Sequence, residues 1–390
     1  MLQQTSLQDC KALSSYIESS NSFYQDLLGY KPEQTSLQEI NESEWKEFVK
    51  QRGLNSNSSG IYLPRNQTAI IREENPLSLF HEYFGHGLFC EQTLIGRKLV
   101  DLEKKLLKEE KQEFNEREFV LDDINKFRQQ NQTFQELEEF RKQNLARYEL
   151  FAIWTEYLLS KEFGLRDDFE RRYDILNKES KEVIDSITNF SKWYGNLATF
   201  YEFGLRKIQD KKRLIKLSQD LFNGSLNRTR LILHFGSKKP FSDIDLFMAS
   251  NDIPPSYDSW LDVRAYKFDE IESGVNALNP MITYPIMIGD LVFGKEEYLR
   301  ELKRKILAQP ITEEAIAFSL KEHEAEKRRS KDESLGDYLQ SKNLRSNKIF
   351  LTNALALKNG YKLLTVKELI KYSRTLLSSG KFIELKGGIE

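Results

Sequence analysis

Two histidines and a glutamate in the first third of the chain have the residue types of a catalytic zinc site. Residues 81–86 read His-Glu-Tyr-Phe-Gly-His. A zinc hydrolase takes ligands from histidine and carboxylate side chains, and it needs another carboxylate nearby to accept a proton from water. We therefore predict that His81 and His86 bind a metal ion and that Glu82 is the catalytic base.

The five-residue spacing of the two histidines requires a widened helical turn. On a regular α-helix this spacing leaves the two rings about 140° apart around the axis, too far for a shared ion. A π-type turn brings residues i and i+5 onto one face, and Gly85 lies inside that turn, where a glycine eases the distortion. The sequence therefore predicts a π-type turn in a helix that begins near Asn75 and Pro76.

The motif resembles the His-Glu-x-x-Gly-His of the dipeptidyl peptidase III family of zinc peptidases, whose third ligand comes from a later Glu-Glu-x-x-Ala-Glu/Asp motif. Residues 148–153 read Tyr-Glu-Leu-Phe-Ala-Ile, and the resemblance implies that Glu149 is the third zinc ligand. Tyr148 and Ile153 depart from the family motif, so its orienting acidic group is missing there. Glu156 lies seven residues after Glu149 on the same helix face, and it is the alternative ligand or a partner of a histidine.

Two apolar segments before the motif are predicted to form a β-hairpin over residues 60–63 and 68–71. In zincin folds an edge strand beside the site pairs with an extended peptide, and this hairpin can supply such a strand. A role in packing alone is the alternative.

A second set of residues with catalytic character lies in the second half of the chain. Asp243 and Asp245 alternate along a predicted strand and therefore share a face. Two carboxylates on one face can bind Mg²⁺ together with a triphosphate. Gly236 and Ser237 follow the preceding apolar strand, and their backbone N–H groups are predicted to bind phosphate oxygens. Asp262, on a later predicted strand, is the natural third carboxylate.

This pattern resembles the polymerase β-type nucleotidyltransferase superfamily over about residues 228–300. The resemblance implies that Asp243, Asp245 and Asp262 are catalytic and that the first two bind Mg²⁺. It also implies transfer of a nucleotide from a triphosphate such as ATP to an RNA or protein acceptor. The loop after the Gly-Ser pair is shorter than is common in the family, and Lys238 is predicted to compensate as a point charge on the phosphates.

The pattern along the chain predicts an α+β, predominantly helical protein. We expect a helical zincin-like domain with a small β-hairpin over residues 1–222, ending at an Asn-Gly-Ser break. A nucleotidyltransferase-like α/β domain over 223–300 follows, and a helical region over 301–390 is expected to pack on it.

Composition excludes several other classes of protein. The net charge of −2 over 390 residues carries no polycation signature for nucleic acid. Two isolated cysteines, Cys10 and Cys90, give neither a disulfide framework nor a Cys-x-x-Cys metal site. The sequence has no signal-peptide pattern and no apolar run of membrane-spanning length, so we expect a cytoplasmic protein without a membrane partner.

We therefore expect a zinc-dependent metallopeptidase, acting on a peptide or protein, fused to a nucleotidyltransferase-like domain that uses Mg²⁺ and a nucleoside triphosphate. Two alternatives stay open. In the first, nucleotidyl transfer is the main activity and the zinc is structural. In the second, both sites are inactive and the chain is an interaction scaffold.

Overall fold

The protein has the predicted α+β, predominantly helical fold, with two small mixed sheets. The computed structural model describes residues 13–52, 59–114, 121–173, 193–221, 226–251, 256–258, 260–332, 334 and 336–379. The chain divides into two compact units, Met1–Ile208 and Gln209–Glu390. The predicted break at residues 223–225 lies outside the described residues.

The first unit is built mainly from helices, one of which is a π-helix. Its helices are α1 (Ser14–Leu27), α2 (Glu42–Arg52), α3 (Pro76–Ser78), the π-helix (Leu79–His86), α4 (Gly87–Gln92), α5 (Leu94–Glu113), α6 (Leu121–Gln130), α7 (Gln132–Glu162), α8 (Arg166–Tyr173) and α9 (Trp193–Glu202).

A three-stranded sheet packs beside the π-helix in the first unit. The predicted hairpin is present as β2 (Gly60–Leu63) and β3 (Thr68–Arg72), paired antiparallel. The sequence pattern did not reveal β1 (Ser36–Ile40), which pairs with β3 in parallel. The strand order β1-β3-β2 makes β2 an edge strand.

Large aromatic side chains form the core of the first unit. Phe80 and Phe84 of the π-helix are fully buried, as are Phe151 and Trp154 of α7. The ring of Phe200, from α9, lies 4.2 Å from that of Trp154, centroid to centroid. Burial of this much apolar surface holds the π-helix against α7, which is what brings the candidate site residues together.

Among the residues that the structure describes, the second unit contains a five-stranded sheet, seven α-helices and one short 3₁₀ helix, Leu226–Arg228. Its strands are β4 (Thr229–Phe235), β5 (Ile244–Ser250), β6 (Ser256–Asp258), β7 (Leu261–Tyr266) and β8 (Asp290–Gly294). Its helices are α10 (Lys211–Leu221), α11 (Phe268–Asn276), α12 (Pro280–Ile288), α13 (Glu296–Ala308), α14 (Glu313–Arg329), α15 (Asp337–Lys358) and α16 (Val366–Ser378).

The sheet order is β6-β7-β5-β4-β8, in which β5 and β7 are parallel and the other neighbours are antiparallel. Helices α11, α12 and α13 bury Ile271, Ile282 and Leu302 in a core shared with strands β4 and β5. Tyr284 of α12 packs with Leu369 of α16, so the C-terminal helices pack on the same unit. Within the described ranges, no helix has both the length and the apolar character needed to cross a membrane.

Candidate metal centre and acidic cavity

The π-helix Leu79–His86 contains the whole His-Glu-x-x-Gly-His segment, and all its residues are buried. The preceding helical turn, α3, is capped by Asn75, whose side chain accepts a hydrogen bond from the Ser78 N–H at 2.9 Å. The widened turn that the five-residue spacing predicts is therefore present. It places the rings of His81 and His86 4.8 Å apart, centroid to centroid, at an interplanar angle of 87°.

Gly85 lets the π-helix touch α7. A Cβ atom built at Gly85 would lie 2.7 Å from the Cα of Ala152, which is closer than any ordinary contact. Two small residues facing each other therefore allow the two backbones to approach. The approach brings Glu149, one turn before Ala152, up to the histidines.

His81, His86 and Glu149 form a group that could hold a metal ion. One ligand atom from each residue lies within 4.8 Å of the others. The Glu149 Oε2 is 3.7 Å from the Nε2 of His81 and 3.8 Å from the Nε2 of His86. Two imidazoles and one carboxylate are the ligand set found in several catalytic zinc sites.

Glu156 contacts the opposite side of the His81 ring. Its Oε2 accepts a hydrogen bond from the His81 Nδ1–H at 2.9 Å, and its other oxygen lies 3.3 Å from the Arg172 Nη1. Glu156 thus takes the orienting role for which Ile153, three residues earlier, has no suitable side chain. Of the two candidate glutamates, Glu149 faces both histidines and Glu156 faces one.

Glu82 lies within the same buried cluster. Its Oε2 is 3.9 Å from the His86 Nε2, and the residue is 7% exposed. Burial raises the pKa of Glu82 to about 7, although the neighbouring His81 opposes the shift. A carboxylate with a pKa near neutrality can take up and release a proton at physiological pH.

The two histidines differ in their electrostatic surroundings. Burial lowers the pKa of His86 to about 3, and the nearby His81 adds to the shift, so His86 is neutral and offers a lone pair. Burial also opposes charge on His81, but hydrogen bonds to Glu149 and Glu156 raise its pKa to about 10. A metal ion must therefore displace a proton from His81.

Tyr148, the first residue that departs from the peptidase motif, stacks on His86. Their ring centroids are 3.9 Å apart and the rings are nearly parallel, at 19°. The ring of Tyr62, from β2, lies 6.2 Å from the same imidazole, centroid to centroid. The Nδ1 of His86 has no hydrogen-bond partner among the described residues, so ring packing takes over the orientation of this histidine.

The three aspartates predicted to be catalytic, Asp243, Asp245 and Asp262, line one cavity of about 270 Å³, together with Gly236 and Ser237. Asp245 of β5 and Asp262 of β7 are directly opposite each other in the parallel register. Asp243 comes immediately before β5, on the same face as Asp245. Burial raises the pKa of Asp245 to about 7, and the charge of Asp243 adds to the shift.

Gly236 follows β4 and has a left-handed backbone, with φ of 77°. A Cβ atom built there would clash with the Asp245 Oδ2. The glycine therefore provides both the turn and the room for the carboxylate. The Ser237 Oγ accepts a hydrogen bond from the Ser242 Oγ at 2.9 Å, which closes the short loop.

Asp262 forms ion pairs with two cationic side chains. Its Oδ2 lies 3.2 Å from the Arg264 Nη2 and 2.9 Å from the Lys342 Nζ of α15. Among the described residues, the three aspartates do not form a group of converging metal ligands as the histidine cluster does. Lys238 does not line the cavity; its ammonium group pairs with Asp290 of β8.

Three cationic residues that line the cavity were not predicted from the sequence: Arg264, Lys342 and Arg345. Arg264 could have been predicted to line the cavity, because it lies two residues after Asp262 on the same strand and so shares its face. The other two come from α15, about 80 residues along the chain, and no local pattern connects them to the aspartates.

Comparison with known proteins adds little to this geometry. No family model and no curated protein matches the chain. Among solved structures, a nucleotidyltransferase-like protein from Exiguobacterium sibiricum 255-15 is similar at 12% identity, covering 46% of this chain and 69% of that chain, with a TM-score of 0.25. So low a TM-score supports no argument about fold or activity. The resemblances drawn from the two motifs therefore rest on the residues themselves.

Proposed function

We propose that the first unit is a zinc-dependent hydrolase that cleaves peptide bonds. The observation that carries the proposal is the group formed by His81, His86 and Glu149, whose ligand atoms lie within 4.8 Å of one another. Three protein ligands leave a coordination position open for water, whereas structural zinc sites have four protein ligands. The ligand count therefore favours a catalytic ion over the structural alternative.

The donor set suits zinc. Two imidazole nitrogens and a carboxylate oxygen match the preferences of this ion, and Glu156 fixes His81 with its Nε2 towards Glu149. When bound, zinc would lower the pKa of a water molecule and polarise a carbonyl group.

Glu82 is the residue placed to move protons in this reaction. As a carboxylate it accepts a proton from the water molecule that adds to the carbonyl carbon of the peptide bond. When the C–N bond breaks, the same residue returns the proton to the amine that leaves.

A peptide substrate is favoured by the strand beside Glu82. β2 is an edge strand, so an extended peptide can pair with it. β2 also passes close to the proposed base, because a Cβ atom built at Gly60 would lie 2.7 Å from the Glu82 Cγ. A paired peptide would thus have its backbone next to the residue that transfers the proton.

The substitution Glu82→Gln tests this function. The variant should keep its metal and lose peptide hydrolysis by about 10²–10⁴-fold, because an amide cannot accept the proton. The matched control is Glu44→Gln, at an exposed position of α2, which should hydrolyse peptides at the wild-type rate. Equal rates for Glu82→Gln and wild type would refute the role of Glu82.

A second function is favoured by the cavity of the second unit, which we assign to a nucleoside triphosphate. Asp243 and Asp245 would hold Mg²⁺, which neutralises phosphate charge when bound. Arg264 and Lys342 line the same cavity and would contact the phosphates. Because Asp262 is held by these two cations, its role is to position them.

Binding of a nucleotide in the presence of Mg²⁺ tests the second function, followed by transfer of labelled nucleotide to the protein or to RNA. Asp243→Ala should weaken binding about tenfold or more, since it removes one of two metal ligands. Asp269→Ala, at an exposed position in the first turn of α11, is the control. If wild type binds no nucleotide, the second unit is a scaffold.

A further inference from the structure

A cavity of about 490 Å³ in the first unit lies beside the candidate metal centre. Phe89 of α4, Ile95 and Leu99 of α5, and Leu145 of α7 are among its apolar lining residues. This volume falls in the range of sites that bind small organic groups. The cavity is thus large enough for a bulky side chain.

Two tyrosines connect the wall of the cavity with the metal centre. Tyr148 lines the cavity, and its ring is also stacked on His86 at 3.9 Å. Tyr62 of the edge strand β2 lines it as well. A peptide that paired with β2 would therefore pass the entrance of this cavity next to the bond to be cleaved.

The entrance of the cavity exposes apolar surface. Leu145 is 55% exposed, although α7 otherwise presents charged residues such as Arg141 and Lys142 to solvent around it. A side chain that enters the cavity would cover part of this exposed leucine. Glu138, Arg141 and Lys142 also line the cavity, and their exposed side chains keep their charged groups in contact with solvent.

We infer that this cavity is a specificity pocket that takes a bulky apolar side chain, aromatic or leucine-like, of the peptide substrate. The inference rests on the proposed peptidase function and adds the substrate class. A small side chain would leave Phe89, Ile95 and Leu99 in contact with water. An acidic side chain would lose its own hydration. Burial of a phenylalanine instead of an alanine should tighten binding by about tenfold to a hundredfold.

A binding experiment isolates the pocket from catalysis. The protein carries Glu82→Gln and is loaded with zinc, so peptides bind without being cleaved. Four otherwise identical alanine- and serine-based heptapeptides carry phenylalanine, leucine, alanine or aspartate at the central position, and calorimetry measures their affinities. The phenylalanine and leucine peptides should bind about tenfold or more tighter than the other two.

Two variants, each made in the Glu82→Gln protein, test whether the preference for the phenylalanine and leucine peptides arises from this cavity. Leu145→Glu places a charge at the entrance and should reduce the preference to within about threefold, and Ile95→Phe should do the same by filling the cavity. The matched control is Leu94→Glu, since Leu94 is 61% exposed at the start of α5 and does not line the cavity. This control should keep the full preference.

The outcomes separate the pocket from the reaction. Equal affinity for all four peptides, no binding of any peptide, or a preference that survives both pocket variants would overturn the inference. Hydrolysis by the wild-type protein without a side-chain preference would also overturn it while leaving the peptidase function intact. A clear preference without hydrolysis by wild type would uphold the pocket and reject the peptidase function.

Discussion

The Nδ1–H of His81 donates a hydrogen bond to the Oε2 of Glu156 across 2.9 Å, and the Nε2 of the same ring lies 3.7 Å from the Oε2 of Glu149. One histidine thus connects two glutamates of α7, one on each side of its ring. Once His81 gives up a proton to a metal ion, the contact with Glu156 keeps the remaining proton on Nδ1 and leaves Nε2 as the metal ligand.

This relationship predicts the effect of removing Glu156. Glu156→Ala should lower zinc affinity about 10–100-fold, because His81 loses the group that orients it. Glu156→Gln keeps a hydrogen-bond acceptor and should lose less. Competition with a chromophoric chelator measures both affinities, and an unchanged affinity in the alanine variant would show that Glu156 does not support the site.

The contact between Gly85 and Ala152 predicts that the π-helix tolerates no larger residue there. Gly85→Ala should destabilise the first unit by about 1–3 kcal/mol, because the new Cβ meets the backbone of α7. It should also weaken zinc binding, since the histidines move away from Glu149. The control is Gly164→Ala, where a Cβ meets nothing within 4 Å; zinc affinity should stay at the wild-type value.

Glu91 of α4 is buried and accepts several hydrogen bonds from the segment before β1. The backbone N–H groups of Glu33, Gln34 and Thr35 donate to its carboxylate at 2.8, 3.0 and 2.7 Å, and the Thr35 hydroxyl donates at 2.7 Å. Glu91→Gln replaces one acceptor oxygen with a donor that faces other donors.

We expect this substitution to lower the free energy of unfolding of the first unit by about 2–3 kcal/mol. Chemical denaturation measures the loss, with the exposed Glu44→Gln as a control that should change stability by less than about 0.5 kcal/mol. A loss as small as that of the control would mean that solvent replaces these hydrogen bonds.

Alanine substitutions at Gly236 and Gly360 separate two effects on the protein, backbone strain and a steric clash in the acidic cavity. Both have a left-handed backbone, with φ of 77° and 80°. A Cβ at Gly236 would meet Asp245, whereas one at Gly360 meets nothing within 4 Å.

Both alanine variants should therefore lose about 1 kcal/mol of stability from strain. Gly236→Ala should in addition weaken binding of a Mg²⁺-nucleotide about tenfold or more, because it displaces a carboxylate. Nucleotide titration of the two variants checks this, and equal affinities would argue against a phosphate site at Gly236.

The sequence was most informative where spacing alone constrains geometry. The five-residue spacing of His81 and His86, with Gly85 between them, is compatible with a shared ion only in a π-type turn, and that turn is present. The alternation of Asp243 and Asp245 likewise predicted a shared face. Periodicity reports such local relationships well.

Relationships between distant segments could not be predicted from these patterns. Glu149 and Glu156 share a helix face, so their different positions around His81 depend on how α7 packs on the π-helix. The strand β1 is short and pairs with β3 in parallel, about 30 residues away. Lys342 reaches Asp262 from α15, and only the folded chain brings the two together.

Metal analysis of the purified protein tests the central claim most directly. We expect about one zinc ion per chain in wild type and in Glu82→Gln, and almost none in His86→Ala or in a variant that lacks both His81 and Glu149. His323→Ala, which removes a buried histidine of the second unit, should leave the zinc content unchanged. A wild-type protein that contains no zinc, and takes up none when zinc is added, would contradict the proposed metal centre.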